Sequence, residues 1–391
     1  MQKPNVLLIS SWYPSREHPT LGNFVQRHAE AINPFVNLYV VCVISSEKVK
    51  SDFEIENSII NGVNTTLVYY KKVTSKIPLL SNFTKFNRYR ESYQSGIECV
   101  EKQFKVTKWN VTHCNVTFPA GMIAYELKKK RNIPFILTEH WTLFLTYKND
   151  FEKLKFFVKR KMRVVASEAE RIVPVSNHLA NSMKKRGLNG NYAVIPNVVD
   201  TDLFSLGTKK DNKIKQILHV STLVDDHKNI SGIFRTLKKI SDERIDFKLI
   251  IVSDGDIQNA KQIQKSIGLE DRFVEYHTTK TPQEIVEFYQ YSDFFLLFSN
   301  YENLPVVISE SHCCGLPVVS SSVGGIPEMI DKSNGLIVEP KNTEKLKEAI
   351  EYMLNNLDIY DPELIRSNAV NRYDNEVVGK QYYELYKSII K

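Results

Sequence analysis

A chain of 391 residues, 42% hydrophobic and 25% charged, has an ordinary globular composition and is long enough for two cores. No apolar stretch approaches the roughly 20 residues of a spanning helix, and the apolar start is too short for a signal peptide, so we expect a cytoplasmic protein. The net charge of +7 is unevenly distributed, since residues 1–200 hold 29 Lys and Arg against 16 Asp and Glu. The five cysteines lack the spacing of zinc ligands, so we predict no metal site.

The first half of the chain alternates short apolar runs with helical patterns. Loops rich in Pro, Gly and polar residues separate them, and one such loop carries Gly22 between a first strand and a helix over Asn23–Ile32. Runs that are apolar on both faces and alternate with helices predict a parallel sheet covered on both sides. The predicted strands are Val6–Ser10, Val36–Ile44, Val63–Tyr70, Asn110–His113, Phe135–Thr138 and Arg171–Pro174.

The second half repeats this pattern after a break near residues 200–214, where Leu206–Asn212 is polar and aperiodic. We therefore predict an α/β protein with two Rossmann-like, doubly wound domains, residues 1–200 and 201–376, facing across a cleft. A last helix, residues 377–391, carries three tyrosines and is expected to pack back on the first domain. The predicted strands are Gln216–Val220, Phe247–Val252, Phe273–Tyr276, Asp293–Phe298, Pro317–Ser320 and Leu336–Val338, and the predicted helices are Ile230–Ile240, Gln258–Ile267, Pro282–Tyr291, Val306–Cys314 and Thr343–Leu357.

Two glutamates flank the start of the helix Val306–Cys314. Glu302 lies in the loop after the strand Asp293–Phe298, and Glu310 lies just over one turn inside the helix. A helix N-terminus offers unpaired N–H groups and a charge of roughly +0.5, which attracts a diphosphate. Glu310 could accept hydrogen bonds from a ribose diol and Glu302 from sugar hydroxyls. The diphosphate would then lie against Asn303, Leu304, Pro305 and Val306, with Pro305 as the first helical residue.

The chain resembles the retaining GT-B glycosyltransferases of family 4. The resemblance rests on Glu302 and Glu310, on Cys314–Val319, and on Gly324–Glu328. It extends in the right order over most of the chain, through Ser11–Pro14, Gly22–Val25, Thr138–His140, Val175–Asn177, Ile195–Asp200 and Asn334–Val338. It implies a metal-independent, retaining hexosyltransferase that needs no cofactor and takes a nucleotide-sugar donor such as a UDP- or GDP-sugar.

The resemblance also assigns roles to residues outside the glutamate pair. Lys228 matches a lysine that binds the donor diphosphate, whereas Thr222 stands where the family has an arginine, so Ser221 and Thr222 would contribute hydroxyls instead. His140, at a predicted strand end, would contact the donor sugar. Gly22 would allow close approach of the backbone to phosphate or acceptor. Lys228, Glu302 and His140 are thus the predicted catalytic residues, and Glu302 is either a nucleophile or a positioning group.

Other readings of the sequence remain open. An epimerase on the same architecture would need further acid–base groups at the sugar, and none is identified, while Thr222 in place of an arginine is the one feature that favours a non-catalytic binder. Asp254-Gly255-Asp256 matches a D-x-D metal motif but is read as a turn with solvated carboxylates. The sequence contains neither G-x-G-x-x-G nor G-x-S-x-G, so it supports neither a dehydrogenase nor a hydrolase.

Two apolar stripes with basic flanks occur in the first half. Basic amphipathic helices can bind anionic lipid, although each stripe equally suits a core position. The positive charge of residues 1–200 favours peripheral contact with the inner face of the membrane. We therefore expect a saccharide or lipid-linked acceptor, as in surface polysaccharide or glycolipid assembly. Nucleic acid is not an expected partner, because no nucleic-acid-binding module is recognised. The first stripe is Phe83, Phe86, Tyr93, Ile97, Val100 and Phe104 with Lys85, Arg88 and Arg90, and the second is Leu154, Phe157, Val158, Val165 and Ile172 with Lys155, Lys159, Arg160, Lys161 and Arg163.

Overall fold

The chain divides into two compact units, residues 1–198 with 375–391 and residues 199–374. The computed structural model describes residues 3–72, 78–145, 147, 149–208, 213–278 and 281–390, and only the backbone of residues 78–83. Residues 209–212 of the predicted polar break and the side chain of Phe83 therefore lie outside the described part. Within that part, no helix has the length and apolarity needed to cross a membrane.

The first unit is built on a seven-stranded sheet in the order β3-β4-β2-β1-β5-β6-β7. All neighbours are parallel except β3 and β4, which form an antiparallel hairpin at the edge. The strands are β1 (Asn5–Ser10), β2 (Asn37–Ser46), β3 (Phe53–Ile60), β4 (Val63–Lys71), β5 (Val111–Asn115), β6 (Phe135–Glu139) and β7 (Arg171–Pro174). The helices are α1 (Asn23–Ile32), α2 (Pro78–Phe104), α3 (Ala120–Arg131), α4 (Asp150–Lys153), α5 (Phe156–Glu168) and α6 (Asn177–Lys185).

Strand β3 is absent from the sequence-based expectations. Its side chains are mostly exposed, so it lacks the apolar run by which the other strands were recognised. The turn that follows is Asn61-Gly62, with φ of 47° and 82°, which is the two-residue hairpin geometry that Asn-Gly favours. That dipeptide was the available signal for the hairpin.

The C-terminal helix, Asn375–Ile389, belongs to the first unit and packs on α1. A side chain at Gly379 would meet the carbonyl oxygen of Ala31 at 2.0 Å, so the two helices approach at backbone distance. Tyr382 and Tyr386 are fully buried in the core of this unit, and Tyr383 stacks on Phe35.

The second unit is a six-stranded parallel sheet in the order β10-β9-β8-β11-β12-β13. Helix α13 begins at Pro362 after the capping residue Asp361, and it is absent from the sequence-based expectations. The strands are β8 (Lys215–Val220), β9 (Phe247–Val252), β10 (Val274–His277), β11 (Phe294–Leu297), β12 (Val318–Ser321) and β13 (Gly335–Val338). The helices are α7 (Asp225–Lys228), α8 (Ile230–Ser241), α9 (Ile257–Ile267), α10 (Pro282–Tyr291), α11 (Val306–Cys313), α12 (Thr343–Asn355) and α13 (Pro362–Tyr373).

Both sheets have the doubly wound strand order of Rossmann folds. When the hairpin strand β3 is left out, the first strand of each sheet, β1 or β8, lies in the middle. The later strands are added in chain order, first on one side of it and then on the other. This confirms the predicted fold class of two parallel-sheet α/β domains. Buried apolar side chains from both faces of each sheet form its core, as the two-sided apolar runs predicted.

The two apolar stripes belong largely to the core of the first unit. Tyr93, Ile97 and Val100 of α2 are buried, and so are Val165 of α5 and Ile172 of β7. These buried residues occupy core positions, whereas Phe157 of the second stripe is exposed, so neither stripe forms a continuous exposed face, and contact with a membrane stays a prediction.

Candidate active site

The candidate site of the second unit lies where the strand order reverses. Strands β8 and β11 are neighbours, and the chain leaves them toward opposite sides of the sheet. In open α/β sheets, ligands bind outside the carboxyl ends of the strands at such a switch point. The loop after β8 leads to Lys228, and the loop after β11 carries Glu302. Topology alone thus brings together two predicted site residues 74 positions apart.

Lys228 and Glu302 form a buried ion pair at this point. The Nζ atom of Lys228 lies 2.6 Å from Oε1 of Glu302, and the two side chains are only 12% and 8% exposed. Ser299 donates a second hydrogen bond to the same oxygen at 2.8 Å. Neither residue is therefore a solvated surface charge.

His227 is a site residue that sequence reasoning missed. Its Nε2 lies 3.4 Å from Oε1 of Glu302, and its ring stacks on Tyr301 with centroids 4.2 Å apart. Its position next to Lys228 was the available signal. The half-exposed stack lies beside the ion pair, so His227 and Lys228 both face the same carboxylate.

These neighbours fix the charge state of Glu302. Burial alone raises the pKa of this carboxyl, but Lys228 and His227 outweigh burial and lower it to about 2. Glu302 is therefore ionised throughout the physiological pH range. It can accept hydrogen bonds from hydroxyl groups, and it carries no proton to donate.

The depressed pKa of Glu302 predicts a pH-dependent contribution to stability. A carboxyl whose folded pKa of about 2 lies below its unfolded value of 4.5 stabilises the fold above pH 4.5 and loses that contribution as the pH falls toward 2. We expect the difference in unfolding free energy between the wild type and Glu302→Gln to shrink steadily below pH 5. Urea titrations from pH 7 to pH 3 measure it, with Glu287→Gln, an exposed change on α10, as the control. A difference that stayed constant to pH 3 would contradict the assignment.

Backbone packing holds the loop that carries Glu302. A Cβ on Gly324, which has φ of 58°, would lie 1.9 Å from the carbonyl oxygen of Glu302. The N–H of Gly325 donates to the carbonyl oxygen of Asn303 at 2.7 Å, and the N–H of Asn300 donates to the backbone carbonyl oxygen of His227 at 2.8 Å. The turns after β12 and β8 therefore clamp the loop from two sides.

The helix start differs slightly from the prediction. Helix α11 begins at Val306, and Pro305 precedes it in an extended conformation with ψ of 118°, so Pro305 caps the helix and is not its first turn. The ψ value explains this, because a helical first residue would need ψ near −40°. Asn303 and Leu304 are buried before it, and Val306 is partly exposed. The predicted diphosphate-binding segment thus leads from Glu302 into the N-terminus of α11, a helix of eight residues.

Glu310 is buried on α11 and contacts α10. The hydroxyl of Tyr289 lies 3.2 Å from its Oε2, and only 7% of the residue is exposed. The prediction that Glu310 holds the ribose remains a prediction.

Ser221 and Thr222 begin the loop after β8 and differ in exposure. The hydroxyl of Ser221 lies 2.7 Å from Nε2 of the buried His219 and accepts from Leu223 N–H. Thr222 is exposed, and its carbonyl oxygen would be 1.9 Å from a Cβ on Gly255. Ser221 thus has local partners already, whereas the side chain of Thr222 is accessible at the position where an arginine was expected.

The segment Asp254-Gly255-Asp256 forms the turn into α9. The carboxylate of Asp256 caps this helix by accepting from Asn259 N–H at 3.0 Å, and Asp254 is exposed. Helix capping explains Asp256, and close packing on Thr222 explains Gly255. Within the described ranges, no group of three or more His, Cys, Asp or Glu residues is placed to hold a metal ion.

In the first unit, Gly22 lies in the loop after β1 with φ of 83°. A Cβ there would meet the backbone of Trp12 and Tyr13 at 2.5–2.7 Å. The backbone that approaches this glycine is therefore that of its own loop, which explains the residue without a ligand. Approach of a phosphate or acceptor to Gly22 remains a prediction.

His140 follows β6 and is neutral. Burial, together with the neighbouring His28, lowers its pKa well below 6.5. Its Nε2 lies 3.1 Å from Oδ1 of Asn115, and its ring packs against Phe24 with centroids 4.6 Å apart. A neutral imidazole in this position can exchange hydrogen bonds with a hydroxyl, but it supplies no positive charge.

Glu139 orients the loop that carries His140, a role that the sequence did not reveal. Its fully buried carboxylate accepts from the N–H groups of Thr117, His140 and Trp141 at 2.9–3.0 Å and from the Thr117 hydroxyl at 2.6 Å. Four donors around two oxygens is the pattern of a carboxylate that joins two loops at the carboxyl edge of β5 and β6.

We expect Glu139→Gln to destabilise the protein by about 2 kcal/mol, because an amide NH2 group would face donors and leave buried N–H groups unpaired. Urea unfolding measures the change. Glu126→Gln, which removes an exposed ion pair with Lys130, is the matched control and should cost less than about 0.5 kcal/mol. Equal effects of the two changes would contradict the orienting role of Glu139.

Comparisons with known proteins find glycosyltransferase families in both halves of the chain. Residues 70–203 match the family model Glycosyltransferase Family 4, and residues 214–356 match Glycosyl transferases group 1. TuaC of Bacillus subtilis (strain 168), assigned provisionally as a teichuronic acid biosynthesis glycosyltransferase, is 23% identical over 99% of each chain.

Two solved structures share the fold over nearly the whole chain. Sucrose-phosphate synthase from Thermosynechococcus elongatus has a TM-score of 0.76 at 18% identity and covers 99% of each chain. Anabaena HepE, solved with UDP and glucose, has a TM-score of 0.70 at 15% identity and covers 99% of this chain and 100% of its own. The chain is thus a glycosyltransferase homologue of GT-B fold, with a Glycosyltransferase Family 4 domain in its first half and a Glycosyl transferases group 1 domain in its second.

Proposed function

We propose that this protein is a metal-independent, retaining glycosyltransferase. It transfers a hexosyl unit from a nucleotide-diphosphate sugar to a saccharide or lipid-linked acceptor in surface polysaccharide or glycolipid assembly. The name of TuaC supports a role in surface polysaccharide assembly, and the UDP bound to HepE supports a nucleotide-diphosphate sugar as donor. The cytoplasm, where nucleotide sugars are made, is the proposed location.

The buried Lys228–Glu302 pair next to the start of α11 carries the proposal. A departing nucleoside diphosphate gains negative charge in the transition state, and preorganised positive groups in a partly dry site stabilise it. Lys228 supplies a full charge and the N-terminus of α11 a partial one. Together they provide the charge that a divalent cation would otherwise supply.

Binding of the diphosphate would draw Lys228 away from Glu302. The carboxylate of Glu302, ionised and held by Ser299, is then available to accept hydrogen bonds from donor-sugar hydroxyls. We assign Glu302 this positioning role and infer front-face attack, with the leaving phosphate taking the acceptor proton. We further propose that Glu310 binds the ribose and that the neutral His140 contacts a donor-sugar hydroxyl.

Incubation with radiolabelled UDP-, GDP- and ADP-hexoses and membrane extract tests the proposal. We expect transfer of label to a lipid-extractable or polymeric product with the anomeric configuration of the donor, determined by NMR. Interconversion of nucleotide sugars would instead indicate an epimerase. Binding detected by thermal shift without turnover of any donor would indicate a non-catalytic binder, the reading that Thr222 favours.

A further inference from the structure

We propose that the first turn of α5, with Phe156 and Phe157 at its centre, docks the first unit on an anionic lipid surface. The inference deepens the proposed function, because it rests on an acceptor at the membrane. It also replaces the two apolar stripes, most of whose side chains lie in the core, with one specific element of the structure.

Phe156 and Phe157 are adjacent and exposed. Phe156 is 73% and Phe157 52% accessible to solvent, and both open a helix whose Met162, Val165 and Ala166 face the core. Single exposed apolar residues are ordinary, but two neighbouring phenylalanines at a helix start form a small apolar patch, and its exposure to water is unfavourable. Val164, two turns on from Phe157 along the same side of the helix, is exposed as well.

Cations surround this aromatic pair. Residues 153–163 contain six Lys and Arg and no Asp or Glu. Lys153 and Lys159 pair with Asp150 and Glu152, while no carboxylate of the described ranges lies within ion-pair distance of the exposed Lys155, Arg160 and Lys161, which we call the free cations. The Nζ atom of Lys155 lies 6.0 Å from the ring centroid of Phe157, and that of Lys161 lies 5.4 Å from the ring centroid of Phe86. Because these contacts leave their charge without a counter-ion, the free cations can attract an external anion.

The combination fits a membrane surface better than other anionic partners. Anionic headgroups lie above an apolar layer, and an element with cations around two aromatic side chains complements both. A nucleic acid or an acidic protein would satisfy the cations, but it would provide no apolar layer for both rings. Arg160 lies one turn from Phe156, and Lys161 one turn from Phe157, so headgroup and acyl contacts can form together.

Flotation of the full-length protein with vesicles tests the proposal. We expect binding to phosphatidylcholine vesicles with about 30% phosphatidylglycerol at low salt, and weaker binding at high salt. The double variant Phe156→Ser/Phe157→Ser, and separately Lys155→Gln/Arg160→Gln/Lys161→Gln, should each lower the partition coefficient at least tenfold. Ile59→Ser, at an equally exposed residue on the edge strand β3, should leave it unchanged.

A fluorescence measurement separates insertion from simple charge attraction. The emission of Phe156→Trp should shift to the blue when anionic vesicles are added, relative to the wild type, and that of Ile59→Trp should not. Wild-type protein that fails to bind at low salt, or serine variants that bind like the wild type, would overturn the proposal. If the serine variants bound polyuridylate as strongly as the wild type, and anionic vesicles did not shift the emission of Phe156→Trp, the patch would be assigned to nucleic acid instead.

The same variants separate this inference from the proposed function. Serine variants that lose vesicle binding and keep the thermal shift with a nucleotide sugar support a docking surface independent of donor binding. Wild-type protein that binds vesicles while no nucleotide sugar shifts its melting temperature would leave the docking surface standing and refute the donor assignment.

Discussion

Replacement of Lys228 by methionine is expected to lower kcat for sugar transfer by about 10²–10³-fold, the usual effect of removing one preorganised charge from a transition state. The same change leaves the buried Glu302 without its main counter-charge, which should destabilise the protein by about 3 kcal/mol. Initial rates at saturating donor and thermal unfolding followed by circular dichroism measure the two effects.

Three further variants separate the charge of Lys228 from its structural role. Lys228→Met/Glu302→Gln should regain much of the lost stability, since no unpaired buried charge remains, but it should stay inactive. Lys228→Arg should retain part of the activity because it keeps the charge. Lys248→Met, which removes a half-exposed pair with Glu275, should change neither quantity measurably. Full activity of the Lys228→Met variant would refute the assigned role.

Gly324→Ala is expected to destabilise the second unit by roughly 3 kcal/mol or more and to weaken nucleotide-sugar binding at least tenfold. The new methyl group would lie 1.9 Å from the carbonyl oxygen of Glu302, so the clash can be relieved only by moving the backbone of the loop that carries the ion pair. Urea unfolding and a thermal-shift titration with the preferred donor measure these effects.

Gly268→Ala provides the matched control for this prediction. Gly268 also has a positive φ, 77°, but its nearest neighbour would be the flexible Lys238 side chain at 4.0 Å. Alanine there should cost only the strain of the left-handed backbone, about 1 kcal/mol, with donor binding unchanged. If both alanine variants lost the same stability and the same affinity, backbone packing at Gly324 would not be what holds the site.

Local signals in the sequence were sufficient for most of the fold. Most of the buried parallel strands contain a short apolar run, and the prediction for Arg171–Pro174 coincides with β7. The exposed edge strand β3 could not be recognised in this way, because its stability comes from pairing with β4 rather than from burial of its own side chains. Helix α13 was missed although Asp361 and Pro362 mark its start.

The site was predictable in its residues and less so in its contacts. The spacing of Glu302 and Glu310 around a helix start was readable, and so was Lys228 by resemblance. The contacts of Ser299, His227 and Tyr289 depend on which loops meet at the edge of the sheet, which is a property of strand order and not of local sequence. Glu139 was hidden for the same reason, since its four hydrogen bonds join two separate loops.

The position of the C-terminal helix has a consequence for how the protein is made. Translation completes residues 199–374 before it supplies the helix whose Tyr382 and Tyr386 fill the interior of the first unit. On the ribosome, therefore, the core of the first unit stays incomplete, with apolar surface exposed, until residues 375–389 have emerged. The later unit, whose chain is continuous, can reach its native state earlier.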